Sequence, residues 1–325
     1  MYLLALSLTP GGASAAESVL FDVHNQHPLV ALHAPPAPGE RAPLRPGEWR
    51  WDLGLRLNNN SIQEGETTAE RIVLDGETYR TSFTFSRGLR PGLAVAATVP
   101  LVAHSSGFMD GFIISWHDLW GLSNERREDF ENNQLDFSYV QDGAEQVALR
   151  KSAHGLGDVR LDLDWHLREA GLDGRSLVLR GGVKLPTGSS DRLLGSGGTD
   201  LSLQLLSSDY RSLEAWNVSL AWSLGALWLG ESDVLDTIRE DLVGIASAGF
   251  RWRVTPRFEA GMQLDMHTAM YDSALRTLGR GGVQLTTGFG VHLRGGSLVE
   301  LAMLQNLRTD TTPDFGLYLG WRSAP

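Results

Sequence analysis

The stretch VRLDLDWHL at residues 159–167 alternates without a break. Val159, Leu161, Leu163, Trp165 and Leu167 are apolar, and Arg160, Asp162, Asp164 and His166 between them are charged or ionisable. A strand sends successive side chains to opposite faces, so this segment has one apolar and one charged face. One such strand fits a soluble sandwich as well as a membrane barrel. The rest of the chain decides, because the same pattern recurs from about residue 47 onward. The repetition predicts an all-β fold, a transmembrane antiparallel up-and-down β-barrel with lipid outside and a polar lumen inside.

The totals agree. The chain has 325 residues, enough for one large barrel or two small domains, and 42% are hydrophobic. No run approaches the roughly 18 apolar residues that a membrane helix needs. The most apolar run, residues 94–103, is short and contains Pro100. A barrel escapes that requirement because only every second residue meets lipid. There is no cysteine, so neither disulfides nor Cys-based zinc sites exist, as suits a chain crossing an oxidising periplasm unfolded. A net charge of -11 argues against a nucleic-acid-binding surface.

Residues 1–15 read as a secretory signal, with an apolar core at residues 2–8 and an A-x-A site at Ala13-Ser14-Ala15. No Lys or Arg precedes the core, which leaves room for a start further upstream. Residues 16–46 carry Pro28, Pro35, Pro36, Pro38, Pro43 and Pro46, which exclude helix and central strand. They are expected to form an extended periplasmic lead-in, with folding back into the lumen as a partial plug the alternative. Residues 47–325 are expected to form the barrel.

Strands are expected at about residues 48–58, 71–86, 93–104, 159–168, 176–185, 200–208, 216–228, 242–254, 258–267, 282–293, 298–307 and 314–321. Short turns at 87–92, 169–175, 209–215, 255–257 and 294–296 alternate with longer loops, as periplasmic turns and outer loops do in bacterial barrels. The count is about 12 strands, or 14 if an expected hairpin around Asp142-Gly143 joins the wall. Trp216 and Trp228, read as one face of one strand, would sit roughly 30 Å apart along the membrane normal, as two aromatic girdles do.

Alternation stops at residues 107–122, GFMDGFIISWHDLWGL. Phe108, Phe112, Trp116 and Trp120 recur every fourth residue, which predicts an amphipathic helix. This helix and the hairpin are placed in one extracellular insertion, residues 105–156. With Asp110, His117 and Asp118 elsewhere on its surface, the helix is a candidate gate at the barrel mouth.

Several stretches resemble a family of Gram-negative outer-membrane proteins known only as domain of unknown function 3187. They are NQHPL at residues 25–29, LDGETYR at 74–80, VPLVAHSSGFMDGFIISWHDLWGLSNERRE at 99–128 and TDTTPDFGLYLGW at 309–321. The resemblance implies a barrel in the cell outer membrane. It supplies no activity and assigns no functional residue.

The alternation itself assigns a lumen lined by Arg50, Asp52, Arg56, Arg160, Asp162, Asp164, His166, Arg180, Lys184, Glu259, Asp265 and His267. Both signs are present, which fits either a constricted pore for a small solute or an ion-pair network filling a narrow barrel. Asp164 with His166, and Asp265 with His267, have the spacing of an oriented histidine, but no nucleophile motif stands beside them. Hydrolysis is therefore the minor reading, and no catalytic residue, metal or cofactor is assigned. The acidic runs Glu125, Glu128, Asp129, Glu131 and Glu231, Asp233, Asp236, Glu240, Asp241 match no calcium loop and read as solvated loops. Expected partners are outer-membrane lipid and lipopolysaccharide, and the barrel assembly machinery through the C-terminal strand. Nucleic acid is not among them. The functional expectation is a passive channel or transporter for an unidentified small solute, with a non-conducting structural barrel as the alternative.

Overall fold

A computed structural model describes residues 18–65, 69–109, 111, 134–307, 311–313 and 315–324. The signal at residues 1–15 lies outside them. Fifteen strands are present: β1 (Trp49–Glu64), β2 (Glu70–Arg90), β3 (Leu93–Ser105), β4 (Asp136–Gln141), β5 (Ala144–Leu149), β6 (Ala153–Leu156), β7 (Val159–Arg168), β8 (Arg175–Leu185), β9 (Asp200–Leu213), β10 (Val218–Trp228), β11 (Leu242–Arg253), β12 (Phe258–His267), β13 (Val283–His292), β14 (Leu298–Asn306) and β15 (Phe315–Arg322). Twelve of them, β1 to β3 and β7 to β15, form an antiparallel ring in chain order. It closes where β1 meets β15, with Leu55 opposite Leu319 and Asp52 opposite Arg322.

The outer face follows the alternation. Leu161, Leu163, Trp165, Leu203, Leu224, Leu264 and Leu319 are exposed, while the residues between them are buried. An apolar outer face with a polar interior is the inverse of a soluble protein and marks the lipid-facing wall of a transmembrane barrel. Exposed aromatics gather towards the end with short turns, including Trp51 edge-on to Phe85 at 4.8 Å, Trp165, Trp252 and Trp321. Trp216 does not belong to β10. It ends a 3-10 turn, Glu214–Trp216, so it and Trp228 do not share one strand.

Two other expectations shift. β1 runs on to Glu64, and β2 begins at Glu70. Asn58, Asn59 and Asn60 look like loop residues, but each pairs with β2, up to Glu64 opposite Ile72. β9 likewise continues to Leu213, so most of the expected turn at 209–215 is strand.

The hairpin β4–β5 turns on Asp142 (φ 50) and Gly143 (φ 79), the pair of left-handed residues that a two-residue primed turn requires. β4 pairs with residues 70–75 of β2, beyond the point where β3 ends, so the hairpin extends the wall without entering the ring. The count is therefore 12 and not 14. Gly76, at φ 136, sits where β2 changes partner from β4 to β3. β6 and β7 lie end to end along β3, interrupted where the Gly157 amide donates to the Pro100 carbonyl at 2.8 Å. A proline has no amide to continue the ladder, so the defect falls where the sequence puts it.

The largest departure concerns the proline-rich lead-in. Residues 18–44 are not an extended periplasmic arm; they follow the alternative and fold back inside the barrel, almost all buried. Proline removes regular hydrogen bonding but not the need to cover Val19, Leu20, Phe21, Leu29 and Leu32, and the lumen covers them.

Candidate functional site: the plugged lumen

The buried segment is a hairpin. Its first limb rises from the short-turn end. The Val19 carbonyl accepts from Arg251 Nε at 2.7 Å, the Phe21 amide donates to Gln263 Oε1 at 2.7 Å, and the Asn25 amide side chain donates to His267 Nε2 at 2.8 Å. The tip, Leu29 to His33, reaches the long-loop end. Tyr271 donates to the Leu29 carbonyl at 2.9 Å, and His33 is held between Asp200 at 3.1 Å and the Tyr271 hydroxyl at 3.2 Å. The second limb descends along β7, β8 and β1. Arg160 donates to the Ala34 carbonyl at 3.4 Å, Arg180 to those of Ala37 and Gly39 at 2.8 and 3.2 Å, and Arg50 to that of Ala42 at 3.1 Å. At the short-turn end the Gly47 amide meets the Gly88 carbonyl at 2.8 Å, and β1 begins.

Two kinds of contact hold this plug. Along both limbs the wall donates charged hydrogen bonds to plug carbonyls, which the proline-rich backbone cannot pair internally. Apolar contact adds to these on the first limb, where Phe21 and Val23 pack against Ala302, Leu304 and Tyr318 and Leu20 against Ala221, and is most extensive at the tip. Leu29, Val30 and Leu32 enter a cluster with Ile72, Phe137, Tyr139, Leu193, Leu229, Val243, Tyr271 and Leu278, built from the upper wall, the β4–β5 hairpin and the long loops. Burying each such side chain stabilises the seated hairpin by roughly 1.5–3 kcal/mol.

The lumen residues read from the alternation all lie on the inner face. Asp162 and Asp164 share Arg41 of the plug, at 2.9 and 3.0 Å, and Asp164 also takes Arg180 Nε at 2.5 Å. Arg160 reaches Asp162 at 2.7 Å. Lys184 lies between Asp158 at 2.8 Å and Asp200 at 3.1 Å. Arg56 pairs with the Asp22 carboxylate at 3.1 Å and donates to Ser82. Arg50 and Asp52 approach to 3.7 Å. Glu259 joins Arg251 at 3.2 Å and His292 at 3.0 Å. The two candidate dyads do not form. Both ring nitrogens of His166 lack a partner while Asp164 is taken by arginines. Asp265 accepts from Ser247 and Gln263, and His267 turns to Asn25 and the Thr268 carbonyl.

Of the candidate gate helix, Phe108 is described and exposed, and its amide and that of Met109 donate to the buried Glu77 carboxylate at 2.7 and 2.6 Å. Asp110, Phe112, Trp116, His117, Asp118 and Trp120 lie outside the described residues, as do Glu125, Glu128, Asp129 and Glu131. In the second acidic loop, the Ser232 amide and then Arg239 hold the Asp236 carboxyl below its ordinary range. Among the described residues no group of His, Asp and Glu is arranged to hold a metal ion.

The alternation missed the plug's own contributions, Asp22, His33 and Arg41, because irregular chain has no period to read. It also passed over wall residues that its own logic reaches. Arg80 has the parity of Ser82 and Thr84, opposite Phe83 and Phe85, and Arg322 occupies an inward position of β15, 3.0 Å from Glu300, which the alternation of β14 does turn inward.

Residues 2–324 match the family described as "Protein of unknown function (DUF3187)". The chain belongs to this family. Among curated proteins no relative matches this DUF3187 sequence. Among solved structures, the DUF3187 barrel resembles the COG4313 outer membrane channel from Pseudomonas putida F1, at 13% identity and a TM-score of 0.54, covering 86% of this chain and 96% of that one. The toluene transporter TbuX of Ralstonia pickettii aligns at 10% identity and a TM-score of 0.42, covering 96% of each chain. At 13% identity the likeness to the COG4313 channel is one of fold.

Proposed function

We propose that this DUF3187 protein is a passive outer-membrane channel for a small solute, closed at rest by residues 18–46 and opened by withdrawal of that hairpin. The short-turn end is then periplasmic and the long loops extracellular, in contact with lipopolysaccharide, with lipid around the wall. The observation that carries this reading is how the plug is held. Its limbs meet the wall mainly through polar groups that water can replace, with smaller apolar contacts at Leu20, Phe21 and Val23, both limbs pass the same rim, and the largest apolar contact is at the tip. The shared architecture with a protein described as an outer membrane channel supports it. The filled lumen favours a second reading, a non-conducting structural barrel. Planar-bilayer conductance separates them. Deleting residues 18–44 should give a barrel that still assembles and conducts steadily, whereas the intact chain should show rare openings. Cysteines at positions 25 and 282, joined by a short bis-maleimide, should abolish those openings, and the absence of native cysteine makes the reaction specific. An assembled deletion variant that carries no current would leave the structural barrel.

A further inference from the structure

Between the plug and the wall formed by β1, β2, β3, β7 and β15 lies a cavity of about 270 Å³, open towards the short-turn rim. Six arginines line it: Arg41, Arg50, Arg56, Arg80, Arg160 and Arg322. Five have a carboxylate partner within the lumen. Arg80 has none. It is 5% exposed, its Nη2 donates to the Ala31 carbonyl at 3.0 Å, and its Nε has no partner. In the β1–β2 register it stands directly opposite Arg56, a like-charge pair that opposes folding unless an anion offsets it. His24 of the plug lines the same cavity with both ring nitrogens unpartnered. A buried guanidinium without a counter-charge is costly, and such groups in native proteins serve a ligand or a switch.

We propose that this cavity binds a small organic monocarboxylate, with Arg80 as the anchoring cation and Pro35, Pro100 and Tyr318 as apolar walls. The proposal names the solute class of the channel described above and rests on that reading for its role. One unmatched positive charge calls for one negative charge. Asp52, whose Oδ1 has no partner, and Asp158 also line the cavity and disfavour a multiply charged anion such as phosphate. The volume lies just under the roughly 300–1,000 Å³ of ordinary small-molecule sites, which suits a single ring or short acyl chain. The guanidinium fork matches a carboxylate in two parallel bonds.

The test is equilibrium dialysis of the full-length protein in detergent with labelled benzoate, and separately with benzyl alcohol and inorganic phosphate. Benzoate should bind at least about tenfold more tightly than either comparator, the difference that a charge-assisted bond makes. Arg80→Gln should remove about tenfold of the benzoate affinity and leave benzyl alcohol unchanged, and Arg80→Lys should retain part of it. Arg80→Gln should also unfold at the same temperature or higher, because it discards an unpaired buried charge, so loss of binding cannot be misread as loss of fold. Equal binding of benzoate and benzyl alcohol, phosphate as the tighter ligand, or full benzoate affinity in Arg80→Gln would each overturn the site. Dialysis needs no flux. A conducting plug-deleted barrel whose intact form binds no benzoate removes the site and keeps the channel, whereas benzoate binding to a barrel that never conducts keeps the site and removes the channel.

Discussion

Leu163 and Asp164 are adjacent in the chain and face different solvents. Leu163 is 46% exposed on the outer face, whereas Asp164 is buried against Arg41 and Arg180. Their substitutions should fail in different ways. Leu163→Arg puts a charge into lipid and should cost roughly 2–4 kcal/mol near the midplane. Urea unfolding in lipid vesicles measures it, and an unchanged midpoint would mean that this face does not meet lipid. Asp164→Asn takes the carboxylate from Arg180 and one of two from Arg41, and should cost about 3–5 kcal/mol, the penalty for breaking a buried pair from one side. The facing of each residue was legible in the sequence, since parity along a strand is all it requires. The partners were not, because half of them stand on a segment without periodicity.

At the scale of elements, β7 and β12 run from Val159 to Arg168 and from Phe258 to His267, as the alternation of apolar and polar residues requires. The plug was the least legible element, read from the sequence only as the alternative to an extended arm. Its prolines rule out structures without specifying one, and its bonds run from wall side chains to its carbonyls, which every residue carries alike. Its apolar residues were the available sign, since an arm in water has no use for Leu29, Val30 and Leu32. Leu32→Asp would place an unpaired carboxylate in the apolar cap and should release the tip while the wall stays intact. Open probability in planar bilayers should rise, and protease added from the short-turn side of vesicles should cut residues 18–46 faster. An unaltered cleavage rate would show that the cap does not lock the tip.

For the whole molecule, closure depends on β15, which pairs with β14 on one side and β1 on the other. Removing residues 315–321 opens two edges, and unpaired edges in lipid are not tolerated. The truncated chain should give no heat-modifiable folded species and should accumulate as aggregate or degradation products. A folded, membrane-inserted truncation would contradict the ring. Strand number and order were legible from the regular recurrence of turns. The three extra strands were less so, because β4, β5 and β6 are four to six residues long and take their place from β2 and β3.

Because both limbs of the hairpin pass through one rim, no part of the ring encircles a threaded chain. The cylinder can therefore be completed empty and receive its filling last. The filling is also exchangeable in principle: a synthetic peptide spanning residues 18–46, added from the short-turn side to a cylinder lacking that segment, should restore the block in trans. Its potency would measure, in molar units, how weakly or strongly the native segment is held when covalent attachment no longer supplies a high effective concentration.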